Sequence, residues 1–236
     1  MPTAGLLWVN SRITSTEFSK SDFNTWYNTE HVPDVIAASK TVKTAFRYNS
    51  QNPTDTHPYL ALYFVGDVNF LGSKEYKVIP GTSEKYFPGK NCMEVGEFDT
   101  RWYEWVDGFE KKGVKSGQAP LIISAALTPK PGTDADFDAW YKDEHYRTLS
   151  EVPGYVRTRR YVLKNACNAA SLENPRDPPR YLALHEFDAE VLPVEELQKT
   201  AQTEWAKRTM GGLVGEEVMV FKLAESWGGG EMEAKI

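Results

Sequence analysis

The hydrophobic positions along this chain follow two different periods. "GLLWVNSRI" (5–13) and "PLIISAALTP" (120–129) are apolar, rich in branched residues and ended by polar ones, which predicts strands. Between such runs the period changes. Phe23, Trp26, Tyr27, Glu30 and His31 fall at i, i+3, i+4, i+7 and i+8, the spacing of one helical face. Phe137, Trp140, Tyr141, Glu144 and His145 do the same. Ser19 or Ser21 offers an N-cap for the first helix; Thr133, with Asp136 three residues on, offers one for the second. "TAFRYNS", "GYVRTRRYVL", the two "YLAL" segments, "TRWYEWV" and "EEVMVFKLA" supply the remaining strands. "PVEELQKTAQTEWAKRT" reads as one helix ended by Gly211 and Gly212. Its counterpart in the first half is interrupted by Pro80, Gly81, Pro88 and Gly89 and is therefore short or degraded.

These elements repeat. "FNTWYNTEH" (23–31) and "FDAWYKDEH" (137–145) agree at five of nine positions, 137 − 23 = 114 residues apart. "YLALYF" at Tyr59 and "YLALHEF" at Tyr181 lie 181 − 59 = 122 apart, so the second copy carries an insertion, placed in the Asn- and Pro-rich "NACNAASLENPRDPP". The order β-α-β-β-α-β occurs twice, which is the ferredoxin-like unit. Helices cover only one face of such a sheet, and the other face needs a partner sheet. The expectation is an α+β protein of two ferredoxin-like modules, 1–113 and 114–236, joined through the polar stretch between Asp107 and Pro120. The two sheets would pair within the chain as a barrel-like sandwich with helices outside.

Composition narrows the function. The 236 residues are 41% hydrophobic and 25% charged with a net charge of −6, and no basic run suits nucleic acid. No apolar stretch approaches a membrane span, and the N-terminus lacks the pattern of a signal peptide. Cys92 and Cys167 are far apart, and four scattered histidines give no metal spacing. The expectation is a cytoplasmic protein with reduced thiols, no metal and no cofactor motif; GxSxG, GxGxxG and Walker A patterns are absent. "WGGGEMEAKI" reads as a terminal tail, not a phosphate cradle.

The pattern Trp-Tyr-x-x-Glu-His, followed by Pro33 in the first copy, together with "YLALY" and "TRWYEW", resembles EthD-like proteins of the dimeric α+β barrel superfamily. It is most similar to the tandem two-module forms of fungi and spans both halves. The resemblance implies the barrel fold. It leaves the reaction open, because that superfamily hosts cofactor-free monooxygenases, polyketide cyclases, decarboxylases, dehydratases, isomerases and haem enzymes, besides stress proteins of unknown role.

The candidate site follows from the repeated helix. Its aromatics must face the sheet, which puts His31 and His145 beside the buried stripe at the helix C-terminus. Exposed carbonyls there favour the imidazolium and burial opposes it, so titration near neutral pH is expected, suiting a general acid or base. The alternative is a structural histidine that locks the following turn. Alternation places Tyr59, Ala61 and Tyr63 on one strand face and Tyr181, Ala183 and His185 on its twin, so Tyr63 should approach His31 and His185 should approach His145. These four are the candidate catalytic residues. Trp8, Asn10, Tyr27, Arg47 and Tyr141 are candidate substrate contacts. Arg47 and Arg160 either hold an anionic oxygen or make surface ion pairs. Trp102 and Tyr103 wall a cavity or pack the core. His57 sits in a turn and has no chemical role.

The expected ligand is a hydrophobic metabolite, polyketide-like or aromatic, and the expected chemistry is proton transfer: cyclisation, dehydration, decarboxylation or isomerisation. A cofactor-free oxygenase acting on a phenol and a non-catalytic binding or stress-response module are the rival readings. With both modules in one chain, a homodimer is not required.

Overall fold

Strand alternation decides which side of each sheet must be sealed, and here both sides are. The computed structural model describes residues 2–113, 119–167 and 177–228. The first half runs β1 (Gly5–Ile13), α1 (Lys20–Trp26), a π-helical turn (Tyr27–His31), α2 (Val32–Ala38), β2 (Val42–Ser50) and β3 (Tyr59–Val65). A 3-10 turn (Val68–Gly72), α3 (Lys74–Lys77), a hairpin of β4 (Thr82–Ser83) and β5 (Phe87–Asn91), α4 (Cys92–Val95) and β6 (Gly96–Glu110) follow. The second half runs β7 (Leu121–Pro129), α5 (Asp134–Trp140), a second π turn (Tyr141–His145), α6 (Tyr146–Ser150), β8 (Tyr155–Cys167) and β9 (Tyr181–Phe187). It ends with α7 (Val194–Thr200), α8 (Glu204–Gly211) and β10 (Leu213–Trp227).

The long strands close into one barrel in the order β1-β3-β2-β10-β7-β9-β8-β6, every neighbour antiparallel. Each half contributes a four-stranded ferredoxin-like sheet. The seams are β2 with β10 and β6 with β8, each joining one half to the other. This is a dimeric α+β barrel made within one chain.

The barrel interior holds Leu6, Leu60, Leu62, Leu182, Leu184 and Phe221, all at most 1% exposed. Burying one such side chain contributes roughly 1.5–3 kcal/mol. Opening the barrel would expose about 10 kcal/mol of apolar surface in these six alone, as much as a domain's whole stability. Polar ties also cross the lumen: Trp8 Nε1 donates to Ser124 Oγ at 3.2 Å, and Arg101 pairs with Asp99 beside it and with Glu217 opposite at 2.7 Å. Arg159 is ion-paired with Glu186.

Four local expectations change. Ser19 caps α1 by accepting from Asp22 N–H, but the Thr133 hydroxyl instead donates to the carbonyl of Lys130 and gives no cap. The single long helix predicted over 193–209 is two, because Thr203 turns out to cap α8 by accepting from Ala206 N–H. The first helix does not end at His31, because α2 follows it directly with Pro33 in its first turn. The polar stretch expected between the modules begins inside β6, and 114–118 lie outside the described residues, as do 168–176 of the insertion and 229–236 of the tail. Among the described residues no helix is long and apolar enough to cross a membrane.

Candidate functional site

Both copies of the nonamer build the same unusual turn. Val32 N–H bonds to Tyr27 O and Tyr146 N–H to Tyr141 O, five residues back, so Tyr27–His31 and Tyr141–His145 are π-helical. The wider turn lays His31 on Trp26 (ring centroids 5.1 Å apart) and edge-on to Tyr27 (5.0 Å). His145 stacks on Trp140 at 4.2 Å and meets Tyr141 at 5.2 Å. Both histidines are mid-helix, since α2 and α6 continue beyond them, so no helix C-terminus stabilises their charge. Near-neutral titration is therefore overturned. Burial lowers His31 to about 4, the neighbouring Pro80 carbonyl opposing only part of it, and holds His145 well below its ordinary value. Both Nδ1 atoms are buried without a hydrogen-bond partner, although each residue as a whole is only partly covered.

In the first half the helix, the outer face of the sheet and the segment from α3 to α4 enclose a cavity of about 260 Å³. Tyr27, His31 and Tyr63 line it together, with Tyr76, Ile79 and Cys92 on the opposite wall. Tyr63 is 1% exposed, and its hydroxyl lacks a well-formed partner. It points at Tyr27, whose own acidity it increases; burial still pushes Tyr27 up to about 12 and Tyr63 well above 10. The interrupted second helix makes this space: Pro80 and Gly81 line it where the other half has a packed helix.

In the second half α8 packs onto the equivalent region. Ala206 of α8, fully buried, packs with Tyr141, Trp140 and Tyr146. Glu144 accepts from Trp140 Nε1 at 3.2 Å and from Thr203 Oγ1 at 2.6 Å, tying the π turn to the α8 cap. His145 and His185 do meet, edge to face at 5.7 Å. His185 Nδ1 lies 2.8 Å from Thr158 Oγ1, which lies 2.8 Å from Tyr155 Oη. Burial takes His185 down to about 3, so this chain of groups is neutral at ordinary pH.

The two arginines are not on the surface, as ion pairing there would need; each is 3% exposed beneath its helix. Arg47 stacks on Tyr27 (4.4 Å) and donates to Asn28 Oδ1 (2.6 Å) and Asn24 Oδ1 (2.9 Å). Arg160 stacks on Tyr141 (4.2 Å) but is ion-paired with Asp138 (2.9 Å) and Asp107 (3.2 Å), the latter also accepting from Tyr146 Oη at 2.5 Å.

The other candidates lie elsewhere. Trp8 on an even position of β1 and Tyr103 on β6 both point into the barrel, so neither reaches the cavity. Asn10 donates to the carbonyls of His57 (2.8 Å) and Tyr59 (2.9 Å), a tie at the strand end. His57 lies 3.7 Å from Glu97. Trp102 packs on Tyr76 behind the cavity wall. Tyr141 belongs to the packed second half. Both cysteines are free. Among the described residues no group of three His, Cys, Asp or Glu is arranged for a metal ion.

Sequence reasoning missed the π turns, the α3–α4 wall and the Asn24/Asn28 cage. The cage had a visible signal: Asn24 and Asn28 stand at non-matching positions of the nonamer, opposite Asp138 and Lys142.

Comparison with known proteins bears on the fold more than on the chemistry. No protein-family model matches the chain. It is 23% identical over 192 residues to Core atranone cluster (CAC) protein 1 of the fungus Stachybotrys chlorohalonatus, covering 78% of this chain and 82% of that one. An anthrone oxidase-like protein of known structure superposes with a TM-score of 0.62 at 12% identity, over 100% of this chain and 97% of the other. A chlorite dismutase of Candidatus Nitrospira defluvii does so with a TM-score of 0.57 at 8% identity, over 95% and 93%. These structures share the dimeric α+β barrel, and the sequence match reaches a fungal gene-cluster protein.

Proposed function

We propose that the protein is an EthD-like, cofactor-independent enzyme of secondary metabolism that transfers a proton on a hydrophobic, polyketide-like or aromatic metabolite held in the first-half cavity. One observation carries this reading: His31 and Tyr63, each with a buried polar atom lacking a partner, converge with Tyr27 on one cavity. Unsatisfied buried groups cost about 1–3 kcal/mol each, and a ligand oxygen or an acidic C–H would satisfy them.

In the proposed step neutral His31 removes a proton from a carbon next to a carbonyl. The C–H electron pair moves onto the carbonyl oxygen as an enolate, and Tyr27 donates a hydrogen bond to that oxygen. A base lowered to about 4 is weak alone. Imidazolium and enolate at about 4 Å attract by about 4 kcal/mol at an effective dielectric constant of about 20. That offsets the cost of charging the buried ring. Cyclisation, dehydration, decarboxylation and isomerisation can all start from this enolate. A lyase or isomerase type is the first reading.

The resemblance to an anthrone oxidase-like fold favours a second: the same carbanion donates electrons to O2, as a cofactor-free monooxygenase acting on a phenol would require. Oxygen uptake separates the two. Incubation with acidic ketones and anthrone-type phenols in D2O should give deuterium exchange that His31→Ala reduces by about 10²–10⁴-fold, the usual contribution of a general base. His145→Ala should keep it within a few-fold. Full exchange in His31→Ala with the fold intact would sink the base assignment. Ligand binding without exchange in the native protein would favour a non-catalytic module.

A further inference from the structure

The two halves treat their buried arginine differently, and the difference bears on the substrate. Arg160 has two carboxylates against it. Among the described residues Arg47 has no ion pair: its cage is Asn24 and Asn28, both uncharged. The groups that face it are Tyr27, Tyr59, Tyr63 and, in register on β10, Glu225, whose exposed carboxylate is screened by water. Burial leaves Arg47 below its ordinary value; for Arg160 burial acts the same way but Tyr146 and Asp107 outweigh it. A cation buried to 3% exposure without an anion is costly. The cavity beside it has no Asp or Glu among its described lining residues, and Lys77 lies at its rim.

Arg47 does not line the cavity itself. Its guanidinium lies 4.4 Å over the ring of Tyr27, and Tyr27 does line it. We propose that the first-half cavity selects hydroxylated aromatic or enolic ligands in their anionic form, with the oxygen against the Tyr27 hydroxyl and Arg47 as a positioning residue acting through the Tyr27 ring. The missing counter-ion of Arg47 is the ligand. Volume limits its size: a cavity of about 150 Å³ takes benzene, so about 260 Å³ takes about two fused rings. Larger ligands must extend through the mouth.

This inference rests on the cavity being the substrate site, and its test needs no turnover. A nitronaphthol, whose phenol and phenolate absorb at different wavelengths, is titrated with pH when bound and when free, with naphthalene as the neutral control. The bound probe should ionise about one pH unit lower than the free one, a tenfold preference for the anion. Arg47→Gln should abolish that shift and leave naphthalene affinity unchanged. If Arg47→Gln does not fold by near-UV circular dichroism, Arg47→Lys serves; it keeps the charge, loses the planar stack and should retain part of the shift. An unshifted or raised ionisation in the native protein overturns anion selection while leaving proton abstraction by His31 standing. A full shift in Arg47→Gln overturns the role of Arg47. Failure of both probes to bind overturns the cavity as a ligand site.

Discussion

The two halves of the barrel carry matching nonamers, the same π turn and the same buried arginine stacked on a tyrosine, and in the first half a cavity opens beside them. In the second half carboxylates neutralise Arg160, Glu144 ties the turn to α8, and Ala206 packs against the tyrosines. In the first, Asn24 and Asn28 replace the carboxylate cage, and the α3–α4 segment stands off from the sheet. The repeated motif is therefore a structural device that fixes an imidazole against aromatic rings. A ligand-sized space lies beside the imidazole in the first half, where the covering layer is incomplete. The second half is the built-in control for every test of the first.

Acid should expose the largest contrast. Burial depresses two histidines in each half, His31 and His57 in the first and His145 and His185 in the second, but His57 is only half-buried and has Glu97 opposing the shift. Their pKa values are depressed on folding, so the unfolded chain binds more protons below about 6.5, and stability falls as pH falls through that range. With His185 near 3 in the folded protein, going from pH 6.5 to pH 5 should cost about 2 kcal/mol from that residue alone. Denaturant melts at the two pH values measure it. His185→Asn, which keeps an acceptor for the Thr158 hydroxyl, should flatten the loss; an unchanged pH slope would show that His185 is not neutral by burial.

Next in size is the tie to α8. Glu144→Ala should cost about 1–3 kcal/mol, because Trp140 Nε1 and the Thr203 hydroxyl lose their acceptor. Glu30→Ala at the matching position of the first half should stay within about 0.5 kcal/mol. Equal losses would mean that the two turns are held alike. The smallest effect is the most specific. Asn24→Asp copies Asp138 into the first half and gives Arg47 a carboxylate. Phenolate binding should weaken by about tenfold, with naphthalene binding unchanged, as read by titration of both probes; unaltered phenolate affinity would break the electrostatic account of the difference.

The sequence made much of this readable. The strand faces of Tyr59, Tyr63, Tyr181 and His185 follow from alternation, which also points Tyr63 toward His31 and His185 toward His145; Tyr63 and His31 line one cavity, and His145 meets His185. Trp8 was not readable as a lumen residue, because alternation separates two faces without saying which one meets a helix. Neither was the lowered pKa of His31. That depends on the helix continuing past Pro33 and on Pro80 and Cys92 arriving from about 50–60 positions away.

The amino-acid sequence alone determined the duplicated βαββαβ order, the need for one sheet to cover the other, and the aromatic face that carries each imidazole. These are local or periodic properties, set by spacing along the chain. The tertiary structure decided which half opens, which arginine goes without a counter-ion, and which histidine meets a ligand-sized space. Those depend on what distant segments place against a buried group, and the free energy of a buried charge is set by its neighbours in space.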